Sequence, residues 1–433
     1  MKNKDTSLTN GTLFVMCTFI GGFIVAYAFN VVLSRLLGPT EYGNYKVAEA
    51  FISLGSLIAV MGGAKAAIKF LTDSVHAKDS DKIWEYIRFY TAIIFIVSGV
   101  LLVLVYVGHQ LHFSIFDGES YHPILVATLI IPFSAISALL GGIILITKNI
   151  SISFLPWRVG YPGLRLLFCG LYFLIVGHID DVDAVIITLL VSIILIMIQI
   201  VYLRRESLLT IKRSKSFQQP KQWLSVSMPL MLIVVMQAFI NQIDIYMIEF
   251  FSGETAVGHF AASQTTTSAV NTVRFALYGM ITPFIVPALK GGFNTIAALN
   301  YKCFTLMIKT AVPVALIITY FGHPILELFG HDTELAHQTL ITLTIGAVIN
   351  SLLGLAAMWL QYSGKERVVM IVLIISIVIN TVLNALLIPI LEIEGAAIAT
   401  AISISFSAIT LTILMYRHTG ILPWTKLDED IVK

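Results

Sequence analysis

Long apolar stretches follow one another along almost the whole chain, and short polar segments separate them. Many of these stretches contain 18 or more residues, which is enough for a helix to cross the hydrocarbon core of a bilayer, about 30 Å thick. Each spanning segment must be helical, because lipid offers no hydrogen-bond partner to free backbone groups. The pattern predicts twelve transmembrane helices, at residues 12–36, 45–70, 87–108, 123–146, 157–177, 184–203, 224–250, 256–288, 302–322, 337–360, 368–390 and 395–416.

The composition agrees with a membrane protein. Hydrophobic residues make up 57% of the chain and charged residues 12%, whereas a soluble domain carries about 25% charged residues. The net charge of +2 gives no bulk attraction to nucleic acid, and we expect no nucleic-acid partner. The three cysteines stand singly in apolar stretches, so neither a disulfide framework nor a metal site is predicted.

Basic residues concentrate in every second loop. With the N-terminus in the cytoplasm, the outward loops after spans 3, 5, 7, 9 and 11 contain no Lys or Arg and are acidic instead. This asymmetry is the positive-inside pattern, and it predicts that both termini lie in the cytoplasm. Examples in the inward loops are Lys78, Lys82, Arg204, Arg205, Lys365 and Arg367; examples in the outward loops are Asp180, Asp181, Asp183, Glu254, Glu392 and Glu394.

The longest polar segment, residues 204–222, is rich in Arg, Lys, Ser and Gln and divides the chain nearly in half. We interpret it as a cytoplasmic basic linker between two six-helix lobes. The predicted division is an N-terminal lobe at 1–203, the linker at 204–222, a C-terminal lobe at 223–416 and a cytoplasmic tail at 417–433.

The two halves resemble each other when the first is shifted by 215 residues. The equivalent pairs are Gly38 and Gly253, Thr40 and Thr255, Gly43 and Gly258, Tyr45 and Phe260, and Glu49 and Gln264. The four glycines predict structural turns between consecutive spans. Six spans per lobe is an even number, so both lobes start from the same side of the membrane and the repeat is parallel. The predicted fold class is therefore an all-α integral membrane protein with twelve transmembrane helices in two six-helix lobes related by a parallel pseudo-repeat.

Basic residues outnumber acidic ones inside the predicted spans. The basic ones are Arg35, Lys46, Lys65, Lys69, Arg158, Arg165, Arg274 and Lys309, and the acidic ones are Glu49, Asp244 and Glu249. A cation without an acidic partner is unfavourable in the membrane unless water or an anionic ligand reaches it. The excess predicts a hydrated cavity with positive potential, suited to a phosphate or pyrophosphate held by Arg forks and Lys charges.

Several charges in the spans also have a simpler interpretation, whereas Arg165 and Arg274 lie too deep for easy snorkelling. Residues close to an interface, such as Lys65, Arg158 and Arg35, reach the headgroup region by snorkelling, and Lys46 pairs with Glu49 one turn away. Asp244 and Glu49 are candidates for ion or proton coupling, although Asp244 is equally suited to an ion pair with Arg274 or Arg35. The candidate substrate-binding cations are Arg274, Arg165, Arg35, Lys65, Lys309 and Arg158.

Motifs of enzymes are missing from the sequence. Gly364-Lys365 lacks the upstream glycine and the following Ser or Thr of a phosphate-binding loop. No Gly-x-Ser-x-Gly elbow and no zinc-protease helix is present. We therefore expect a protein that is not an enzyme and that needs no cofactor or metal.

Four stretches resemble the polysaccharide flippases of the multidrug/oligosaccharidyl-lipid/polysaccharide exporter superfamily. They occur in the expected order and spans, and the resemblance as a whole covers roughly residues 15–415. One departure is the turn before the fourth stretch, where relatives often carry Gly and this chain has Leu391-Glu392-Ile393-Glu394. The stretches are Arg35-Leu36-Leu37-Gly38-Pro39-Thr40-Glu41-Tyr42-Gly43; Gln242-Ile243-Asp244 with Ser252-Gly253 and Val257-Gly258; Asn380 and Asn384 with Leu387-Ile388-Pro389; and Gly395-Ala396-Ala397-Ile398-Ala399-Thr400.

The resemblance implies two lobes around a cavity, in the inner membrane of a bacterium, and an undecaprenyl-pyrophosphate-linked oligosaccharide turned from the cytoplasmic to the outer leaflet. It also implies work alongside a polysaccharide polymerase and chain-length partners in O-antigen or capsule synthesis. A proton- or sodium-coupled drug exporter of the same superfamily is the main alternative. A membrane polymerase or prenyl-type transferase is disfavoured because no outward loop is large, and a scaffold without transport is the remaining hypothesis.

Overall fold

The computed structural model describes residues 2–110, 123–147, 152, 155–209, 220–330 and 333–426, and the regular elements in these ranges are helical. A π-helical turn, Pro156–Gly160, comes directly before α5. The helices are α1 (Lys2–Ala59), α2 (Gly63–His76), α3 (Ser80–Gln110), α4 (Pro123–Ile146), α5 (Tyr161–Val176), α6 (Asp181–Arg205), α7 (Pro220–Ser252), α8 (Glu254–Gly291), α9 (Phe293–Tyr320), α10 (Gly322–Glu327), α11 (Thr333–Leu353), α12 (Leu355–Tyr362) and α13 (Glu366–Thr419).

The helices account for the predicted spans. In the described part of the chain, nine helical segments are long and apolar enough to cross a membrane. Two of them, Cys17–Ala59 and Glu366–Thr419, are bent within their length and contain two predicted spans each. Helix α8, with 38 residues, supplies the remaining span. The prediction of an all-helical protein with twelve spans is confirmed.

The two bends lie where the sequence predicts turns between spans. Gly38 interrupts α1 with φ 76° and ψ 175°, and Glu392 interrupts α13 with φ 47° and ψ −125°. A positive φ is readily available to glycine because it has no Cβ. For a residue with a side chain the same conformation is strained, so Glu392 marks a site of backbone strain.

The chain divides into two compact units, one formed by Met1–Val31 with His259–Lys433 and the other by Val32–Gly258. These units differ from the predicted lobes in the placement of two helices. The first arm of α1 groups with the C-terminal residues, and α7 groups with the N-terminal ones. The lobes are predicted from the sequence repeat and the units are defined by contacts, so the predicted lobe boundaries stay a prediction. Residues 210–219 of the predicted linker and 427–433 of the predicted tail lie outside the described residues.

Aromatic side chains form the inner part of the unit Val32–Gly258. The ring of Trp223 packs edge-on against Tyr86 and Phe89, with centroids 5.2 Å away in both cases. The Tyr86 hydroxyl donates to the carbonyl of Gly63 at 2.7 Å, which satisfies its polar end in an otherwise apolar core. These contacts join α2, α3 and the start of α7.

Polar side chains hold together the two arms of α13 in the other unit. The Asn384 amide donates to Asn380, which in turn donates to Thr400, both at 3.1 Å. All three are buried. Small residues and amide or hydroxyl contacts are the usual means of helix association in lipid, where the hydrophobic effect gives helices no reason to meet. The two arms therefore form a helical hairpin closed at Glu392.

Candidate functional site

The two predicted turns meet inside the unit Val32–Gly258. The side-chain hydroxyls of Thr40 and Thr255 are 2.9 Å apart. The Cα of Gly43 faces the carbonyl of Glu254, and the Cα of Gly258 faces the carbonyl of Pro39, in both cases too closely for any side chain. Thr40 and Thr255 are related by the 215-residue shift, and the same shift converts the Gly43–Glu254 contact into the Gly258–Pro39 contact, since Pro39 is equivalent to Glu254. The repeat seen in the sequence is thus a local two-fold relationship in the structure.

Glycine is required at this crossing for two separate reasons. Gly38 and Gly253 have φ values of 76° and 80°, which turn the chain between consecutive spans. Gly43 and Gly258 lie one turn into the following helices and let the two backbones approach each other. Gly38 and Gly253 thus lie at the bends between spans, whereas Gly43 and Gly258 lie inside the helices that follow.

Three charged side chains form a cluster at the start of α1's second arm and on α5. Lys46 Nζ lies 2.8 Å from Glu49 Oε2, and Arg165 Nη1 lies 2.7 Å from Glu49 Oε1. The first pair confirms the interpretation of Lys46 and Glu49 as partners one turn apart. The second pair was not predicted, because no sequence spacing relates Arg165 to a residue 116 positions away.

Tyrosines surround the Arg165 guanidinium, which is 5% exposed. Its Nη1 donates to the hydroxyl of Tyr45 at 2.7 Å, and its carbon lies 4.3 Å from the centre of the Tyr161 ring. The Tyr45 hydroxyl is also 3.4 Å from that of Thr188. Sequence reasoning missed these neutral residues, because aromatic and hydroxyl side chains are common in membrane helices and carry no charge signal.

The cluster contains two cations and one carboxylate. Lys46 and Arg165 both contact Glu49, so these three side chains together carry a net charge of one positive unit. In surroundings of low dielectric constant such an excess attracts anions more strongly than it does in water. The cluster therefore suits a group of negative charge, with tyrosine hydroxyls as further hydrogen-bonding partners.

Arg274 lies in the other unit, half-buried on α8. Its guanidinium carbon is 4.9 Å from the centre of the Phe275 ring, and the Nε atom has no hydrogen-bond partner among the described residues. Among the described residues of its own unit, no carboxylate oxygen lies within 4.0 Å of its guanidinium. Asp244 belongs to the other unit, and its ion pair with Arg274 stays a prediction.

The other candidate residues differ in exposure. Asp244, on α7, is fully buried, with 0% of its surface exposed. The four remaining candidate cations are accessible at the protein surface, and their predicted place in a cavity stays a prediction. They are Arg35, Lys65, Arg158 and Lys309. As far as the described residues go, no group of three or more His, Cys, Asp or Glu side chains could hold a metal ion.

Two family models match the sequence. The model described as polysaccharide biosynthesis protein matches residues 8–288, and a second model, MatE, matches residues 229–386. No curated protein matches the chain.

Solved structures with similar folds belong to transporters. An inward-facing multidrug resistance MATE family transporter of the MOP superfamily has 15% identity and a TM-score of 0.74, over 95% of this chain and 98% of that one. The lipid II flippase MurJ, in an inward closed conformation, has the same identity and TM-score over 94% of this chain and 87% of its own. A MOP superfamily transporter from Pyrococcus furiosus, described by the reverse polarity of its binding pocket, has 13% identity and a TM-score of 0.67, over 95% and 96%.

At these identities the structures establish the fold, which is that of the MOP superfamily transporters. The family itself follows from the sequence match over residues 8–288, which is well over half of the chain. The predicted resemblance is thereby confirmed, and the protein belongs to the family of polysaccharide biosynthesis proteins, with the helical membrane fold of MOP superfamily transporters.

Proposed function

We propose that the protein is a flippase for a lipid-pyrophosphate-linked oligosaccharide, which it moves from the cytoplasmic to the outer leaflet by alternating access. The cargo belongs to the synthesis of a surface polysaccharide, O-antigen or capsule, in the inner membrane of a bacterium. A polysaccharide polymerase and chain-length proteins are the expected partners on the outer side. The protein performs no covalent chemistry on its cargo.

The observation that carries the proposal is the surplus of positive charge at membrane depth. Among the described residues of its own unit, no carboxylate oxygen lies within 4.0 Å of the Arg274 guanidinium, and the group of Lys46, Arg165 and Glu49 contains two cations and one carboxylate. Pyrophosphate is a compact anion that arginine binds through paired N–H groups. Removal of Arg274 should therefore weaken transport of an anionic headgroup more than it weakens the fold.

The contact between the turns at Thr40 and Thr255 supports a state in which the proposed passage is closed at the outer face of the membrane. In the proposed orientation, Thr40 and Thr255 lie at the outer ends of their spans. Release of cargo on that side requires the two turns to separate. We infer that the Thr40–Thr255 contact closes the outer end of the passage while cargo enters from the cytoplasm.

A drug exporter is the second candidate, and buried Asp244 favours it. Exporters of cationic compounds need an acidic site. A buried carboxylate provides one when it binds the cationic compound in one state and a proton or sodium ion in another. The match of the MatE model over residues 229–386 includes this residue. The surplus of cations is the argument against a cationic substrate.

A strain that lacks the gene separates the two candidates. We expect loss of surface polysaccharide and an accumulation of lipid-linked oligosaccharide on the cytoplasmic leaflet. The leaflet is identified with right-side-out and inside-out vesicles, treated with a glycosidase that cannot cross the membrane. Re-expression of the wild-type chain should return the precursor to the outer leaflet.

Drug accumulation is measured in the same strains. Unchanged polysaccharide together with increased drug retention in the deletion strain contradicts the flippase and supports the exporter. Normal sidedness of the precursor in the deletion strain also contradicts the flippase, even if the amount of polysaccharide falls.

A further inference from the structure

A groove on the surface of the unit Val32–Gly258 lies outside the residues of the candidate site. Its cavity volume is about 510 Å³. Helices α3, α4 and α6 form its walls, and Leu209 closes one end. We propose that this groove binds an anionic phospholipid, with one acyl chain between the helices and the phosphate at Arg88 and Arg204.

The groove has the depth of one leaflet. Along α3 it extends from Trp84 to Phe95, which is about 16 Å at the rise of an α-helix. The hydrocarbon core of a bilayer is about 30 Å thick, so the groove covers about half of it. On α4 the deep end is formed by Phe133. A single acyl chain spans this depth, whereas a polyprenyl chain is much longer.

The walls of the groove are almost entirely carbon. Ile136 and Leu140 of α4 and Ile196 and Ile200 of α6 are among its lining residues. Apolar cavities do not hold water, since water needs several polar partners. In a membrane the available filling is therefore hydrocarbon.

Positive charge collects at one end of the groove. Arg88 is a lining residue one turn deeper than Trp84. Arg204 is exposed and follows Ile200 by four residues, so it continues the same face of α6 beyond the apolar wall. In the proposed orientation this end faces the cytoplasmic leaflet, which is rich in anionic lipids. Arginine forks suit a phosphodiester, and tryptophan suits the headgroup boundary.

A competition between two lipids tests the proposal on the purified full-length protein. The probes are phosphatidylglycerol and phosphatidylcholine with identical acyl chains, mixed in equal amounts, and native mass spectrometry measures which remains bound. We expect preferential retention of phosphatidylglycerol. Arg88→Gln and Arg204→Gln should each lower that preference about fivefold, the effect of one basic residue at a membrane surface.

Two further variants separate the headgroup contact from the groove. Arg205→Gln removes the same charge at the same level but on a different helix face, and it should leave the preference unchanged. Ala92→Phe fills the groove and should lower the retention of both lipids. If Arg88→Gln does not elute as a monodisperse protein, Arg204→Gln decides, because its side chain is exposed at a helix end.

The proposal is overturned if both lipids are retained equally by the wild-type chain, or if Arg204→Gln and Arg205→Gln behave alike. It is also overturned if Ala92→Phe retains lipid as the wild type does. Retention of a polyprenyl phosphate from native membranes, in place of a phospholipid, assigns the groove to the cargo and rejects a resident phospholipid. None of these outcomes depends on transport activity.

Discussion

The hydroxyl of Thr40 lies 2.9 Å from that of Thr255, its equivalent 215 residues further along the chain. Gly43 and Gly258 bring the two backbones together on either side of this contact. Two copies of one sequence pattern thus meet each other in space. In the proposed flippase the contact closes the outer end of the passage, and its opening is a step of transport.

A disulfide at this contact should stop transport. In a background in which Cys17, Cys169 and Cys303 are replaced by Ala, Thr40→Cys/Thr255→Cys should form a disulfide under mild oxidation, because the two hydroxyls already touch. We expect loss of surface polysaccharide in oxidised cells and recovery after a membrane-permeant reductant. Each single Cys variant is the control. Loss of maleimide labelling measures how completely the disulfide has formed. Full export by the completely cross-linked protein would show that the turns need not separate.

Side chains at the crossing glycines should destabilise the fold. Gly43→Ala and Gly258→Ala each place a Cβ against a backbone carbonyl, and overpacking of this kind costs about 1–3 kcal/mol. Thermal unfolding in detergent measures the loss. Gly170→Ala is the matched control, because a Cβ on this helical glycine meets nothing within 4 Å. Equal melting temperatures for Gly43→Ala and Gly170→Ala would contradict the close approach.

Glu49 should stabilise the fold, because its carboxylate contacts both Lys46 and Arg165. Glu49→Gln removes the carboxylate that contacts both Lys46 and Arg165, and since this ion pair is partly buried its loss should cost up to about 3 kcal/mol. The double variant Glu49→Gln/Arg165→Gln should lose less stability than the sum of the single variants, since the pair interacts directly. Chemical denaturation in mixed micelles gives the three free energies. If the losses of unfolding free energy were additive, Glu49 and Arg165 would not interact energetically, which would contradict the contact between them.

Arg274 should be needed for transport and not for insertion. Arg274→Ala should abolish export of polysaccharide and leave lipid-linked oligosaccharide on the cytoplasmic leaflet, because the proposed anionic headgroup loses a guanidinium partner. Insertion should be retained, because among the described residues of its own unit no carboxylate oxygen lies within 4.0 Å of this side chain. Arg274→Lys keeps the charge without the fork and should retain part of the transport. Lys302→Ala, an exposed residue on α9, is the control. Wild-type export by stably expressed Arg274→Ala would exclude this residue from the mechanism.

Glu392 should be replaceable by glycine with a gain in stability. Its φ of 47° and ψ of −125° belong to a region that favours glycine, and relief of such strain contributes about 1 kcal/mol. Glu392→Gly should therefore raise the melting temperature. Glu394→Gly, at a neighbouring helical position of the same turn region, should lower it. If Glu392→Gly had the lower melting temperature of the two variants, contacts of the Glu392 side chain would stabilise the protein by more than the backbone strain destabilises it.

The sequence by itself determined the membrane class, the spans and the equivalent turns. Span 123–146 coincides with α4, and the predicted breaks fall at Gly38 and close to Glu392. The pairing of Lys46 with Glu49 was also accessible, since both residues lie on one helix turn. All of these features depend on neighbours in sequence, because the thickness of the bilayer and the helical repeat impose a local pattern.

Only the tertiary structure decided which distant side chains meet. It joined Arg165 to Glu49 and to Tyr45, left Arg274 against Phe275, and grouped α7 with residues 32–258. Lipid tails are about as apolar as the side chains of a membrane helix. The hydrophobicity of a helix face therefore does not indicate whether it contacts lipid or another helix. Close packing of small residues and single polar contacts selects the partner, and those contacts join positions more than a hundred residues apart.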